Sequence, residues 1–247
     1  METPDDIFKH IQDFLGYSPE NINILEAKID IAVQMDYFNM ASKIREEDVK
    51  SITYSPDELL GNQLTTDQVK EYLIVLAGAG DVANFRIIES YIPLATDETG
   101  DWALIALNES RFNVINSLTD GSNVFISTGL GGKKGMLRYF IVFIPEADDF
   151  TQAHEQLVID EIYFSFKRSE SEVESVEVVG RFICATVLIP VNIRVDLSVK
   201  SVIDECVKSG CPISTGYVVT NVKQLTLDEI NRVINKQPVD GMDFDEI

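Results

Sequence analysis

From Leu137 onward, hydropathy runs strand, helix, strand, strand, helix, strand, and this order limits the chain to few sheet topologies. Leu137–Ile144 is apolar and β-branched and stops at Pro145. A helix is predicted from Phe150 to Phe166, with Leu157, Val158 and Ile162 inward. Glu172–Val179 and Arg181–Ile189 read as strands joined at Gly180. The second is almost wholly apolar, so it belongs in the centre of a sheet covered on at least one face, with Pro190 at its tolerant end. Val199, Val202, Ile203, Cys206 and Val207 then fall at i, i+3, i+4, i+7 and i+8, a helix capped by Asp196 or Ser198 and closed by Gly210. Ile213–Thr220 is a further strand. Thr226-Leu-Asp-Glu229 is a capping box that opens a last helix through Ile234.

This order resembles the ferredoxin-like split-βαβ arrangement. The resemblance implies that Leu137–Ile144 is an interior strand with a neighbour on each side. Residues 124–128 also read as a strand, and pairing them in a hairpin with Leu137–Ile144 would displace the last strand. Either the early strand sits at an edge or the sheet is a variant.

Upstream the period is helical. Thr3-Pro4-Asp5-Asp6 starts a helix carrying Ile7, Phe8, Ile11, Phe14 and Leu15. Ser18-Pro19-Glu20 opens a second, with Leu25, Ile29, Ala32 and Val33 inward, and a third is predicted from Tyr37 to Ser51. Further starts fall at Ser55-Pro56, Thr66, Asp81 and Asp101. The segment Glu71–Asp81, the helix after it and Asp101–Asn108 resemble HEAT-type helical repeats, which pair antiparallel helices across short turns. The resemblance covers 66–118, while an ordinary small helical bundle accounts for the same pattern. The joint Thr119-Asp-Gly-Ser-Asn123 divides the chain. The fold class is therefore α+β: an all-helical domain over 1–118, a ferredoxin-like or variant sheet domain over 124–235, and a loose acidic tail over 236–247.

One stretch invites a ligand. Gly129, Gly131 and Gly132, followed by Lys133, Lys134 and Gly135, with Arg138 at the base, offer backbone amides and cations to a phosphate or carboxylate. The following residues read as a strand, whereas phosphate loops lean on the N-terminus of a helix. A hairpin tip needing positive φ explains the glycines equally well.

Other chemistry is sparse. Cys206 fills an inward helical position, Cys184 lies in an apolar strand, and Cys211 follows Gly210. No further ligand stands at zinc-like spacing, so no metal is expected. His10 and His154 lie in no triad or metal motif, and Asp160-Glu161 are sequence neighbours that do not face each other on a helix. No cofactor and no catalytic residue is expected.

Twenty Lys and Arg against 41 Asp and Glu give a formal charge of −21 over 247 residues. That balance opposes nucleic acid and anionic membranes. No apolar run reaches the ~20 residues of a spanning helix, and the acidic N-terminus lacks a secretory h-region. Sparse, odd cysteines fit a reducing cytoplasm. The functional expectation is a non-catalytic interaction or scaffold protein with a protein partner, no nucleic acid and no membrane, and a homo-oligomer allowed. The alternative is a small-anion or nucleotide sensor that uses the glycine loop.

Overall fold

The structure, a computed structural model, describes residues 21–46, 54–118 and 123–242. The helix predicted over residues 3–15, with His10, lies outside them, as do residues 47–51 of the third predicted helix. The chain divides into two compact units between Ser127 and Thr128.

The first unit, within 21–127, is built on helices. Asn21-Ile-Asn-Ile24 is strand β1, not the start of a helix. The residues alternate with period two, and a parallel partner 102 residues away, β2 (Asn123–Ile126), supplies the ladder. That long-range pairing overrides the Ser-Pro-Glu start signal. It also settles where the early strand goes: β2 joins β1 and forms no hairpin with the sheet of the second unit. Asp30 Oδ1 accepts from Ala32 N at 2.7 Å and opens α1 (Ile31–Glu46), one helix where two were expected. Next come α2 (Pro56–Leu60), α3 (Thr66–Gly78), α4 (Val82–Tyr91) and α5 (Gly100–Leu118). Ser55 and Thr65 close capping boxes with Glu58 and Gln68, and Asp81 caps α4. Tyr37, Leu73, Ile88, Ile105 and Ala106 form the centre of its core.

The second unit, within 128–242, is one antiparallel sheet between two helical layers. Its elements are β3 (Gly132–Lys133), β4 (Met136–Pro145), α6 (Gln152–Arg168), β5 (Glu172–Val179), β6 (Phe182–Pro190), α7 (Val195–Lys208), β7 (Ile213–Thr220) and α8 (Leu227–Ile234). The spatial order β7-β4-β6-β5 is the ferredoxin-like one. β3 and β7 share the same side of β4: β3 pairs with Met136 and Leu137, β7 with Phe140 to Pro145. The place beside β4 is thus divided between a two-residue strand and the last strand.

Register sorts the side chains. Leu137, Tyr139, Ile141 and Phe143 lie level with Ile189, Val187, Ala185 and Ile183 on one face, under α6 and α7. Phe140, Val142, Phe182, Cys184 and Val218 lie on the other, under Leu130, Ile230, Val233 and Val239. Every residue of β6 from Phe182 to Ile189 is buried because both faces are covered. Val239 is 4% exposed and Met242 packs beside it, so this part of the expected loose tail belongs to the core.

Candidate functional site

The glycine loop is built into the sheet's second face. Leu130 N donates to Asn221 O at 2.9 Å, and Gly131 N to Thr128 O at 3.1 Å, so two loop amides are engaged. The Leu130 side chain is buried among Phe140, Val142 and Ile230. Gly129 meets the chain after β7 so closely that a Cβ there would lie 1.8 Å from Val222 O. Only glycine permits that approach. Lys133 Nζ reaches Glu172 Oε1 at 3.1 Å. Lys134 and Gly135, with φ of 50° and 80°, form the two-residue turn between β3 and β4. Arg138 is 8% exposed. Its Nε and Nη2 donate to Glu174 at 2.5 and 2.8 Å, and its Nη1 donates to Leu130 O at 2.6 Å. Gly129, Gly131 and Gly132 are thereby brought beside Arg138, while Lys134 stays exposed at the turn. The carboxylate of Glu174 neutralises the buried guanidinium and the Leu130 carbonyl ties it to the loop.

The remaining chemically capable groups are dispersed. Burial, then Glu177, pushes the Cys184 thiol up to about 12; burial, then Cys211, does the same to Cys206. Such thiols are poor nucleophiles. Among the described residues no group of His, Cys, Asp and Glu is placed to hold a metal. Asp160 accepts from Gln156 and Glu161 from Ser165, both within α6. His154 lies in the first turn of α6, its backbone N capped by Thr151.

Two features of the first unit were not foreseen. The first is a buried polar cluster: Tyr37 Oη donates to Glu109 Oε2 at 2.7 Å, and Arg45 Nη2 to Glu109 Oε1 at 2.5 Å. Burial, then the Glu109 carboxylate, holds the phenol well above its ordinary range. Trp102 stacks edge-on to Tyr37 with ring centroids 5.3 Å apart, and Lys70 Nζ sits 4.9 Å from the Trp102 centroid.

The second is a surface hollow of about 300 Å³ lined by Ile31, Gln34, Met35, Phe38, Asn39 and Ser127. Ile31, Gln34, Met35 and Phe38 stand at i, i+3, i+4 and i+7, one stripe of α1. Tyr37 and Phe125 hold the Phe38 ring edge-on, at 5.3 and 6.4 Å. Gln34 Nε2 donates to Ile29 O at 2.8 Å, which fixes its carboxamide. Met35 is 59% exposed at the rim. The lining contains no ionisable side chain. Sequence reasoning missed this stripe because it ended one helix at Val33 and began the next at Tyr37.

No family model matches the chain, and no curated protein matches it. A solved structure described as a putative transposase from Deinococcus radiodurans R1 is similar to 43% of this chain and 94% of its own, with 14% identity and a TM-score of 0.37. Two expectations are corrected beside that finding. A neighbour described as a transposase contradicts both the non-catalytic scaffold and the exclusion of nucleic acid, and neither is carried forward. Among the described residues no helix is long and apolar enough to cross a membrane.

Proposed function

We propose that the first unit binds a small, neutral, flat heteroaromatic molecule of nucleobase or nucleoside type in the α1 hollow. The lining carries this reading. Ile31, Met35 and Phe38 offer an apolar and aromatic surface, and Asn39 and Ser127 offer a carboxamide and a hydroxyl group at its margin. A ring with donor and acceptor atoms on its edge uses both kinds of surface. The size stands at the lower end of the ~300–1,000 Å³ of ligand pockets, which favours a single ring system over an extended ligand. The absence of ionisable groups from the lining favours a neutral ligand over a phosphate. No reaction is assigned to the hollow.

Two further readings accompany this one. The mutual packing of α3, α4 and α5 supports a HEAT-type reading of 66–118. The three free thiols support a cytoplasmic setting.

Thermal-shift screening with nucleosides, free nucleobases and aliphatic amides tests the proposal. Heteroaromatics are expected to raise Tm and aliphatic amides to leave it unchanged. Met35→Lys, at an exposed rim position, is expected to abolish the rise without lowering the Tm of the unliganded protein. No stabilisation by any heteroaromatic, or an undiminished rise in Met35→Lys, overturns it.

A further inference from the structure

The sheet's two covers are attached in different ways. α6 and α7 are crossover helices, each held by strands at both ends, β4 and β5 for α6 and β6 and β7 for α7. The α8 cover, residues 223–242, follows the last strand and is anchored by strand at one end only, among the described residues.

Its polar contacts are almost all internal. Thr226 and Glu229 form a reciprocal cap, with Glu229 N to Thr226 Oγ1 at 3.3 Å and Thr226 N to Glu229 Oε2 at 2.8 Å. Lys223 Nζ pairs with the same carboxylate at 2.6 Å. Asn231 Nδ2 donates to Leu227 O and Asn235 Nδ2 to Asn231 O. Val239 and Met242 close on each other. Among the described residues the polar link from this segment to the sheet is Gln224 Nε2 to Thr186 Oγ1, at 2.9 Å. Adhesion otherwise comes from Leu225, Ile230, Val233 and Val239 against Phe140, Val142, Phe182, Cys184 and Val218.

A segment whose hydrogen bonds are its own and whose interface is apolar can leave without breaking its helix. We propose that residues 223–242 form a detachable cover that lifts as a unit and bares the Phe140/Val142/Phe182/Cys184 face while the α6–α7 layer stays in place. Such an opening belongs among the sub-global openings that lie below complete unfolding. It makes the sheet a two-state element: closed, with both faces covered, and open, with one aromatic face available.

The cysteines report it. Cys184 lies under the cover, whereas Cys206 is fully buried in α7, outside the cluster that the cover closes. Full-length protein is labelled with iodoacetamide and the two sites are resolved by peptide mass spectrometry. Cys184 is expected to react at least ~10-fold faster than Cys206, with a weak dependence on urea, because a local opening exposes little surface. Ile230→Ala is expected to accelerate Cys184. Phe166→Ala weakens contacts that survive in the open form, so it is expected to accelerate Cys206 and leave Cys184 unchanged. Equal rates for the two thiols with the same steep urea dependence, or equal acceleration of both by Phe166→Ala, overturn the proposal.

Discussion

The two faces of the sheet show how coverage that looks equal in a burial profile differs in kind. On one face, Val158, Ile162 and Phe166 of α6 and Val199, Val202 and Cys206 of α7 are all fully buried, in helices spliced between strands. On the other, an eight-residue helix, the glycine loop and the residues before the C-terminus supply the layer. Phe182–Ile189 of β6 is buried from both sides, yet among the described residues only the first layer is held by strands at both ends. Displacing it disturbs the strands it connects, whereas lifting residues 223–242 from the second means separating apolar surfaces and, among the described residues, the Gln224–Thr186 hydrogen bond.

Breaking the locked face should have the largest effect. Phe166→Ala removes a side chain with no exposure and is expected to cost ~3–5 kcal/mol of global stability, read as a lower urea midpoint with an unchanged m value. A loss below ~1 kcal/mol would mean that the crossover layer is no firmer than the other.

Gly129→Ala tests the seam of the second face. The new Cβ falls 1.8 Å from Val222 O, a backbone atom that cannot swing aside, so ~1–3 kcal/mol or more is expected. Gly135→Ala is its control: nothing lies within 4 Å and only the φ of +80° is strained, so ~1–2 kcal/mol is expected. Equal loss of stability in both, measured by urea unfolding, would show that the close approach at Gly129 is relieved by local movement.

The smallest effect is electrostatic and belongs to the cover. Lys223, then the Thr226 cap, holds the Glu229 carboxyl at about 2 against an ordinary 4.5, with partial burial opposing. The folded value lies below the unfolded one. The stabilisation is therefore fully present above about 4.5 and is lost as pH falls towards about 2. α8 amide protection, corrected for intrinsic exchange, should fall through that window in the native protein, and the difference from Glu229→Gln should vanish at its acid end. A gap between the two proteins that does not change with pH would remove Glu229 from the account.

Much of the second unit was readable in order. Alternation and apolar runs placed β4, β5, β6 and β7, the i, i+3, i+4 pattern placed α7, and Thr226 with Glu229 placed α8, because these signals are local. The ferredoxin-like order followed from them. In the glycine loop, sequence showed that positive φ was needed and cations were near. It could not show that Arg138 would turn inward to Glu174, a partner 36 residues away, or that Gly129 would abut Val222. The α1 hollow was illegible for a different reason: its stripe crosses a point where local start signals suggested a break.

By itself, then, the sequence determined the α+β class, the caps at Ser55, Asp81 and Thr226 and the succession of elements from β4 to α8, since each depends on neighbours within a few residues, whereas α7 starts at Val195 without the Asp196 or Ser198 cap expected of it. Tertiary structure decided what long-range pairing decides: that Asn21–Ile24 is a strand because Asn123–Ile126 lies beside it, that β3 and β7 share one side of β4, and that the glycine loop faces inward. In each case a partner distant in sequence supplies the hydrogen bonds or the apolar surface, and no local period can announce it.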